Sequence, residues 1–330
     1  MTAPHFFKAN YAGIALVVLL GIAAMAISDK YTGPVMLFAI LIGLALHPAY
    51  ESKSLKPGIN WCARPLLLTG VALLGFRVNF HDFIALGVIT PVITLACIAL
   101  TIGIGFLLAR LMGLPRRLAI LMSGAIAICG ASAAVAISAA LPLSKSRDRD
   151  LALTVAGVTT LSTMAMIVYP MVSQWLGLSN LQAAIFLGAS IHDVAQVVGA
   201  GYSISDEVGN KATLVKLIRV SALLPVVLLI TLYFRNHKDH EKGRTPNLLP
   251  PFLIAYIVIA GINSYGLFPQ SVQAMGIMAS KYCLIISLVA IGLKTDLKSV
   301  ATVGRAPLIH LITITLLLAL MSLAFIHLFV

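Results

Sequence analysis

Apolar residues fall in long unbroken runs along the chain. The candidate segments are 11–28, 34–46, 65–77, 86–109, 118–141, 151–175, 181–201, 214–234, 249–266, 275–293 and 306–329. Most approach or reach the roughly 20 residues that a helix needs to span a bilayer. The runs are continuous rather than alternating, which predicts helices instead of barrel strands. Segments 34–46 and 65–77 are short and are expected to be extended, tilted or broken. Only Glu51–Asn60 and Arg235–Pro246 read as sizeable polar loops. The pattern predicts an all-α polytopic membrane protein of about eleven hydrophobic segments, forming a single integral domain over residues 1–330.

Composition agrees with this. Of 330 residues, 60% are hydrophobic and 10% charged, against about 25% charged in soluble domains. Ala24-Met25-Ala26 resembles a signal-peptide cleavage site, but the many later segments favour an uncleaved first helix. The four cysteines, Cys62, Cys97, Cys129 and Cys283, are scattered and form no metal-ligand or disulfide pattern.

The net charge of +12 follows topology. Lys and Arg lie mostly in the gaps between segments, as in cytoplasmic loops of membrane proteins, and nothing calls for nucleic acid. With eleven full crossings and the N-terminus inside, 14 of the 23 basic residues fall inside, but the loop Lys145–Asp150 falls outside with three of them. If 118–141 and 181–201 each enter and leave on one side, the count becomes 17 inside and 6 outside. Either way the N-terminus is cytoplasmic and the C-terminus periplasmic.

Internal similarity suggests inverted repeats with discontinuous or re-entrant helices, a transporter plan. Gly130-Ala-Ser132 returns as Gly188-Ala-Ser190. Residues 63–87 align with 280–304, pairing Arg64 with Lys281, Gly75 with Gly292, Arg77 with Lys294 and Asn79 with Asp296.

Four elements carry candidate chemistry. In Ser123–Val135, a break at Cys129, Gly130, Ala131 and Ser132 would expose helix amides to an anion; plain small-residue packing is the alternative. In Gly188–Gly201, His192 and Asp193 are costly inside a membrane and are candidates for ion coupling. Gln196 shares a face with His192. Lys216 and Arg219 share a face of the next helix and suit an oxyanion, unless they snorkel to the interface. Pro225 should bend that helix. Asn263, Ser264 and Lys281 complete a polar pocket or mark an interface, the interface being the favoured reading for Lys281. His310 and His327 receive no role.

Ile128–Ala133, Gly188–Val198, Val215–Val220 and Ala290–Leu297 resemble the YeiH-type family of bacterial inner-membrane proteins, described as sulfate exporters. The resemblance runs from about residue 14 to 320. It implies a multi-pass inner-membrane carrier for a sulfate-like oxyanion, with residues 129–132, 192, 193, 196, 216 and 219 at its site. The leading reading is therefore an ion- or proton-coupled secondary transporter of a small anion with alternating access. An anion channel and, behind it, a membrane-embedded hydrolase are the alternatives. No cofactor, metal or catalytic residue is expected. The expected partners are the anion and the lipid bilayer, with a homo-oligomer left open.

Overall fold

The computed structural model describes residues 3–31, 34–77, 84, 86–142, 144, 146–234, 251–296 and 304–330. The expected polar loop Arg235–Pro246, Lys145 and Asn79 lie outside the described residues. All regular elements among the described residues are helical. They are α1 (Ala3–Tyr31), α2 (Val35–Ala45), α3 (Lys56–Trp61), α4 (Leu67–Leu73), α5 (Ile89–Leu111), α6 (Arg116–Ala127), α7 (Ala131–Ala140), α8 (Arg147–Trp175), α9 (Asn180–Ser190), α10 (Val194–Ile204), α11 (Asp206–Ser221), α12 (Leu223–Phe234), α13 (Pro251–Ser264), α14 (Gln270–Lys294) and α15 (Arg305–Phe329). Among the described residues, seven helical stretches are long and apolar enough to cross a membrane: Asn10–Tyr31, Lys56–Arg77, Ile89–Leu111, Arg147–Trp175, Asp206–Phe234, Gln270–Lys294 and Arg305–Phe329. Four other apolar helices among the described residues are shorter, at 10–14 residues. Large apolar side chains such as Leu107, Met171, Leu229 and Leu320 remain exposed, which suits a surface whose solvent is lipid.

The chain, expected to form one domain, groups into two compact units. The first comprises Met1–Ala85, Val198–Asn210 and Pro251–Asp296; the second comprises Leu86–Val197, Lys211–Pro250 and Leu297–Val330.

In the first unit, helices meet through glycines. A Cβ on Gly43 of α2 would collide with the Val289 carbonyl and lie 2.8 Å from the Cα of Gly292 on α14, and a Cβ on Gly292 would meet Gly43 equally closely. In lipid, close backbone approach of this kind replaces hydrophobic burial as the source of helix association. The stretch Lys56–Arg77 contains a π turn at Cys62–Leu66 around Pro65 and a 3-10 turn at Leu74–Arg77. It packs antiparallel on α14: Gly70 faces Leu284, Gly276 faces the Phe76 ring, and Ser280 Oγ donates to the Gly70 carbonyl at 2.7 Å. The described parts of the second sequence repeat thus run in opposite directions.

In the second unit the segment 118–141 folds back on itself. The Ile137 side chain of α7 packs directly on Gly124 of α6. A continuous helix would separate those residues by roughly 20 Å. Arg117 at the start of α6 also feels the charges of Arg147 and Asp150, which lie just beyond the end of α7. Both ends of the hairpin are therefore on one side, with Arg147 and Asp150 beside Arg117. Gly130 forms the tip with φ +64°, a conformation that costs glycine nothing and other residues about 1 kcal/mol or more. α8 then runs 29 residues away from that side, and α9 starts from its far end behind a capping box of Ser179 and Gln182. The α9 terminus consequently approaches the tip from the opposite direction.

Replacing Gly43 with Val should lower thermal stability by about 1–3 kcal/mol through overpacking. Gly103→Ala, a site where nothing lies within 4 Å of an added methyl, should be neutral or stabilising. Thermal unfolding of the purified protein in detergent, comparing both variants, reads the difference.

Candidate functional site

The helix interruption 128–130 and the interruption 191–193 lie together. A Cβ on Gly130 would stand 3.6 Å from the His192 Cβ. The structurally matching residues are Ile128–Gly130 and Ile191–Asp193. This corrects the sequence pairing of the two Gly-Ala-Ser triplets: Gly130 precedes α7, whereas Gly188 lies inside α9 before its break. Gly188 serves another purpose, since a Cβ there would meet the Ala212 carbonyl at 2.6 Å.

Each interruption leaves carbonyls at the C-terminal end of α6 or α9 without helical partners, in a place with no bulk water. Lys216 and Arg219 of α11 supply the missing donors. Lys216 Nζ donates to the Ile128 and Ile191 carbonyls, both at 2.9 Å. Arg219 Nε donates to Ala127 O at 3.1 Å, Nη1 to Gly188 O and Ile191 O, and Nη2 to Ile126 O and Ala127 O. The guanidinium has five N–H donors, and all five are engaged. Both side chains have 0% exposure, so neither snorkels to an interface. Arg219 was expected to bind an anion directly, but its donors are filled by carbonyls. It holds two helix ends in one place, and two of the three Lys216 donors do the same. The cations also sit at the negative ends of two helix dipoles, the favourable arrangement. Helix α11 ends at Ser221, four residues before Pro225, which has no N–H to return to the Ser221 carbonyl.

The second halves present their positive ends. Asp193 caps α10: its Oδ1 accepts from the Ala195 amide at 3.1 Å. Its own amide donates to Ser162 Oγ at 3.0 Å, and Ser162 Oγ donates to Gln196 Oε1 at 3.3 Å. Gln196 Nε2 donates to Thr163 Oγ1 at 3.4 Å. No side chain caps α7, because its cap residue is Gly130. Ser132 Oγ turns back to the Cys129 carbonyl and Sγ, both at 3.1 Å. His192 is fully buried and its Nε2 shares a hydrogen bond of 3.0 Å with Thr315 Oγ1 of α15.

The structure therefore gathers all the residues singled out in the two breaks and on α11. Cys129, Gly130, His192, Gln196, Lys216 and Arg219 are buried, whereas Ala131 and Asp193 are part-exposed and Ser132 is exposed. Sequence reading missed Ser162, Thr163 and Thr315, which hold Asp193, Gln196 and His192 in place; the polar run Thr159-Thr160-Leu161-Ser162-Thr163 inside an apolar segment was the available signal. Asn263 and Ser264 do not join this site. Asn263 Nδ2 donates to the Phe76 carbonyl and Ser264 Oγ to Ala260 O, both in the first unit.

These features define an α-helical membrane protein built around interrupted helices, with two buried cations at the interruptions. Residues 12–311 match the family described as "Conserved hypothetical protein 698". The chain belongs to that family, the UPF0324 membrane proteins, which is the YeiH-type family. It is 43% identical over 320 residues to UPF0324 membrane protein CT0845 of Chlorobaculum tepidum, covering 96% of this chain and 89% of that one. It is 44% identical over 321 residues to UPF0324 membrane protein TauZ of Paracoccus pantotrophus, covering 96% and 95%. A Rhizobium meliloti relative, RB0971, is 44% identical over 94% of this chain and 91% of its own. No solved structure matches the chain.

Arg219→Lys keeps the charge but offers three donors in place of five. At least two of the five hydrogen bonds to the Ile126, Ala127, Gly188 and Ile191 carbonyls are lost, at about 1.5–3 kcal/mol each. The expected outcome is a thermal midpoint several degrees below wild type in detergent, with a smaller loss for Lys216→Arg.

Proposed function

We propose that the protein is a secondary transporter of a small anion, of the sulfate-like oxyanion class, in a bacterial inner membrane. The observation that carries the reading is the meeting of two interrupted helices, approaching from opposite sides, at one buried cationic point. Broken helices meeting at mid-membrane suit alternating access around a fixed site. A membrane of about 30 Å of hydrocarbon tolerates such backbone only where protein or a water-filled cavity surrounds it.

Charge supports an anion. Two cations, one carboxylate, two helix C-terminal ends and two N-terminal ends leave roughly one net positive charge. The α7 terminus offers the amides of Ala131 and Ser132 beside Cys129 and Gly130, and no carboxylate caps it. At the α10 terminus Asp193 already fills the equivalent place. In this reading the anion docks at the uncapped end near Gln196. Lys216 and Arg219 act through their fixed field and by holding the helix ends, and the third Lys216 donor is directed to the ligand.

Asp193 is the coupling group, with His192 beside it. Protonating Asp193 removes one negative charge and raises the site to roughly two positive charges. A dianion then binds more tightly as pH falls through the Asp193 pKa, so proton and anion travel together. Orientation follows the basic-residue count, with the N-terminus cytoplasmic and the C-terminus periplasmic.

Radiolabelled sulfate uptake into proteoliposomes tests the reading. Wild type should show saturable uptake that strengthens with external acidification. Asp193→Asn, with folding checked by size exclusion, should transport with a flat pH profile. A pH profile in Asp193→Asn identical to wild type would remove Asp193 from coupling. Uptake that rises linearly without saturation would indicate a channel.

A further inference from the structure

The first unit contains a separate cavity of about 140 Å³ lined by Arg77, Tyr202, Asp206 and Lys281, with Val35 and Leu74 among its apolar walls. We propose that this cavity binds a small oxyanion, with Arg77 and Lys281 as its ligands and the Asp206 carboxylate as the occupant that the anion displaces. The proposal stands whether or not the other site transports.

Position makes the two cations unusual. Lys281 is the twelfth of the 25 residues of α14, roughly 16 Å from the start of that helix. A lysine at mid-span costs about 2.5–3.5 kcal/mol on insertion scales. Lys281 is nevertheless exposed and lines the cavity, a place where water or an anion can offset that cost. Arg77 follows Phe76, whose ring packs on Gly276 of the same helix. Its side chain is 15% exposed, and it too lies within the length of the membrane-spanning α14.

The guanidinium is only partly satisfied for so buried a group. Its Nη1 lies 3.3 Å from Asp206 Oδ1, beyond the 2.7–2.9 Å usual for a charge-assisted hydrogen bond. The Asp206 side chain is 79% exposed, and an ion pair to such a solvated carboxylate is worth little. Arg77 Nε is buried without a hydrogen-bond partner. The guanidinium carbon lies over the Tyr202 ring, 5.3 Å from its centroid. The Tyr202 hydroxyl donates to Asn210 Oδ1 and also accepts from the Arg77 guanidinium. The arrangement is a planar fork over an aromatic face, with a second cation and one weakly held carboxylate lining the same cavity. That is the chemistry of bidentate oxyanion recognition.

The test is equilibrium dialysis of radiolabelled sulfate against full-length protein in phosphatidylcholine nanodiscs, with gluconate balancing ionic strength. Arg77→Gln and Lys281→Met should each weaken one class of bound sulfate by about tenfold or more, and Asp206→Asn should tighten the same class severalfold. Lys281 is exposed, so Lys281→Met keeps the measurement informative if Arg77→Gln does not fold. Sulfate binding unchanged in number and affinity in Lys281→Met and Asp206→Asn would overturn the proposal, as would absence of millimolar binding in wild type. Displacement of the sulfate by phosphatidylglycerol would assign the cavity to a lipid phosphate and overturn the free-anion assignment. Failure of the transport reading would register differently, as wild-type proteoliposomes without saturable uptake while this binding persists.

Discussion

Two helix C-terminal ends are buried where water cannot reach them, and two cations from one neighbouring helix cap both. That interaction organises the second unit. An unpaired carbonyl in the low-dielectric interior is costly, and an unpaired ammonium or guanidinium is costlier still. Each debt cancels the other. The five bonds of Arg219 tie Ile126 and Ala127 to Gly188 and Ile191, so neither interruption can shift alone. Lys216 repeats the link one turn away, through Ile128 and Ile191. Arginine is suited to the larger share because its donors form a rigid fork.

The same capping produces an asymmetry with functional content. Once the negative ends of α6 and α9 are neutralised, the positive ends of α7 and α10 remain. Asp193 neutralises one of them and Gly130 leaves the other bare. A site built this way is one carboxylate short of balance, and the carboxylate it does have is part-exposed. Polar residues of α8 and α15 then hold the rest: Ser162 and Thr163 fix Gln196, and Thr315 fixes His192. The oxyanion reading rests on this imbalance rather than on any single residue.

The first unit follows a different logic. Its helices are joined by close backbone crossings at paired glycines, which explains why Gly292 occurs in the family-like stretch Ala290–Leu297 without any chemistry of its own. Close packing also leaves few places for polar groups, so the cluster of Arg77, Tyr202, Asp206 and Lys281 around one cavity is conspicuous. The sequence repeat had paired Arg64 with Lys281 and Arg77 with Lys294. In space it is Arg77 and Lys281 that line one cavity, because the two copies run antiparallel.

Hydropathy alone determined that the chain is an all-helical membrane protein, because 20-residue apolar runs leave no other solution in lipid. The price of charge in a bilayer marked Asp193, Lys216 and Arg219 as special, and the glycine-rich stretch marked the break near Cys129. Tertiary structure decided what these residues do. Only the fold-back of Ile137 onto Gly124 distinguishes a hairpin from a crossing helix, since both read as the same apolar run. Only the position of four carbonyls on two helix ends makes Arg219 a clamp instead of a ligand, because backbone acceptors carry no signature in side-chain sequence. The pairing of Ile128–Gly130 with Ile191–Asp193 was hidden for the same reason: what the two breaks share is a backbone geometry, not a set of letters.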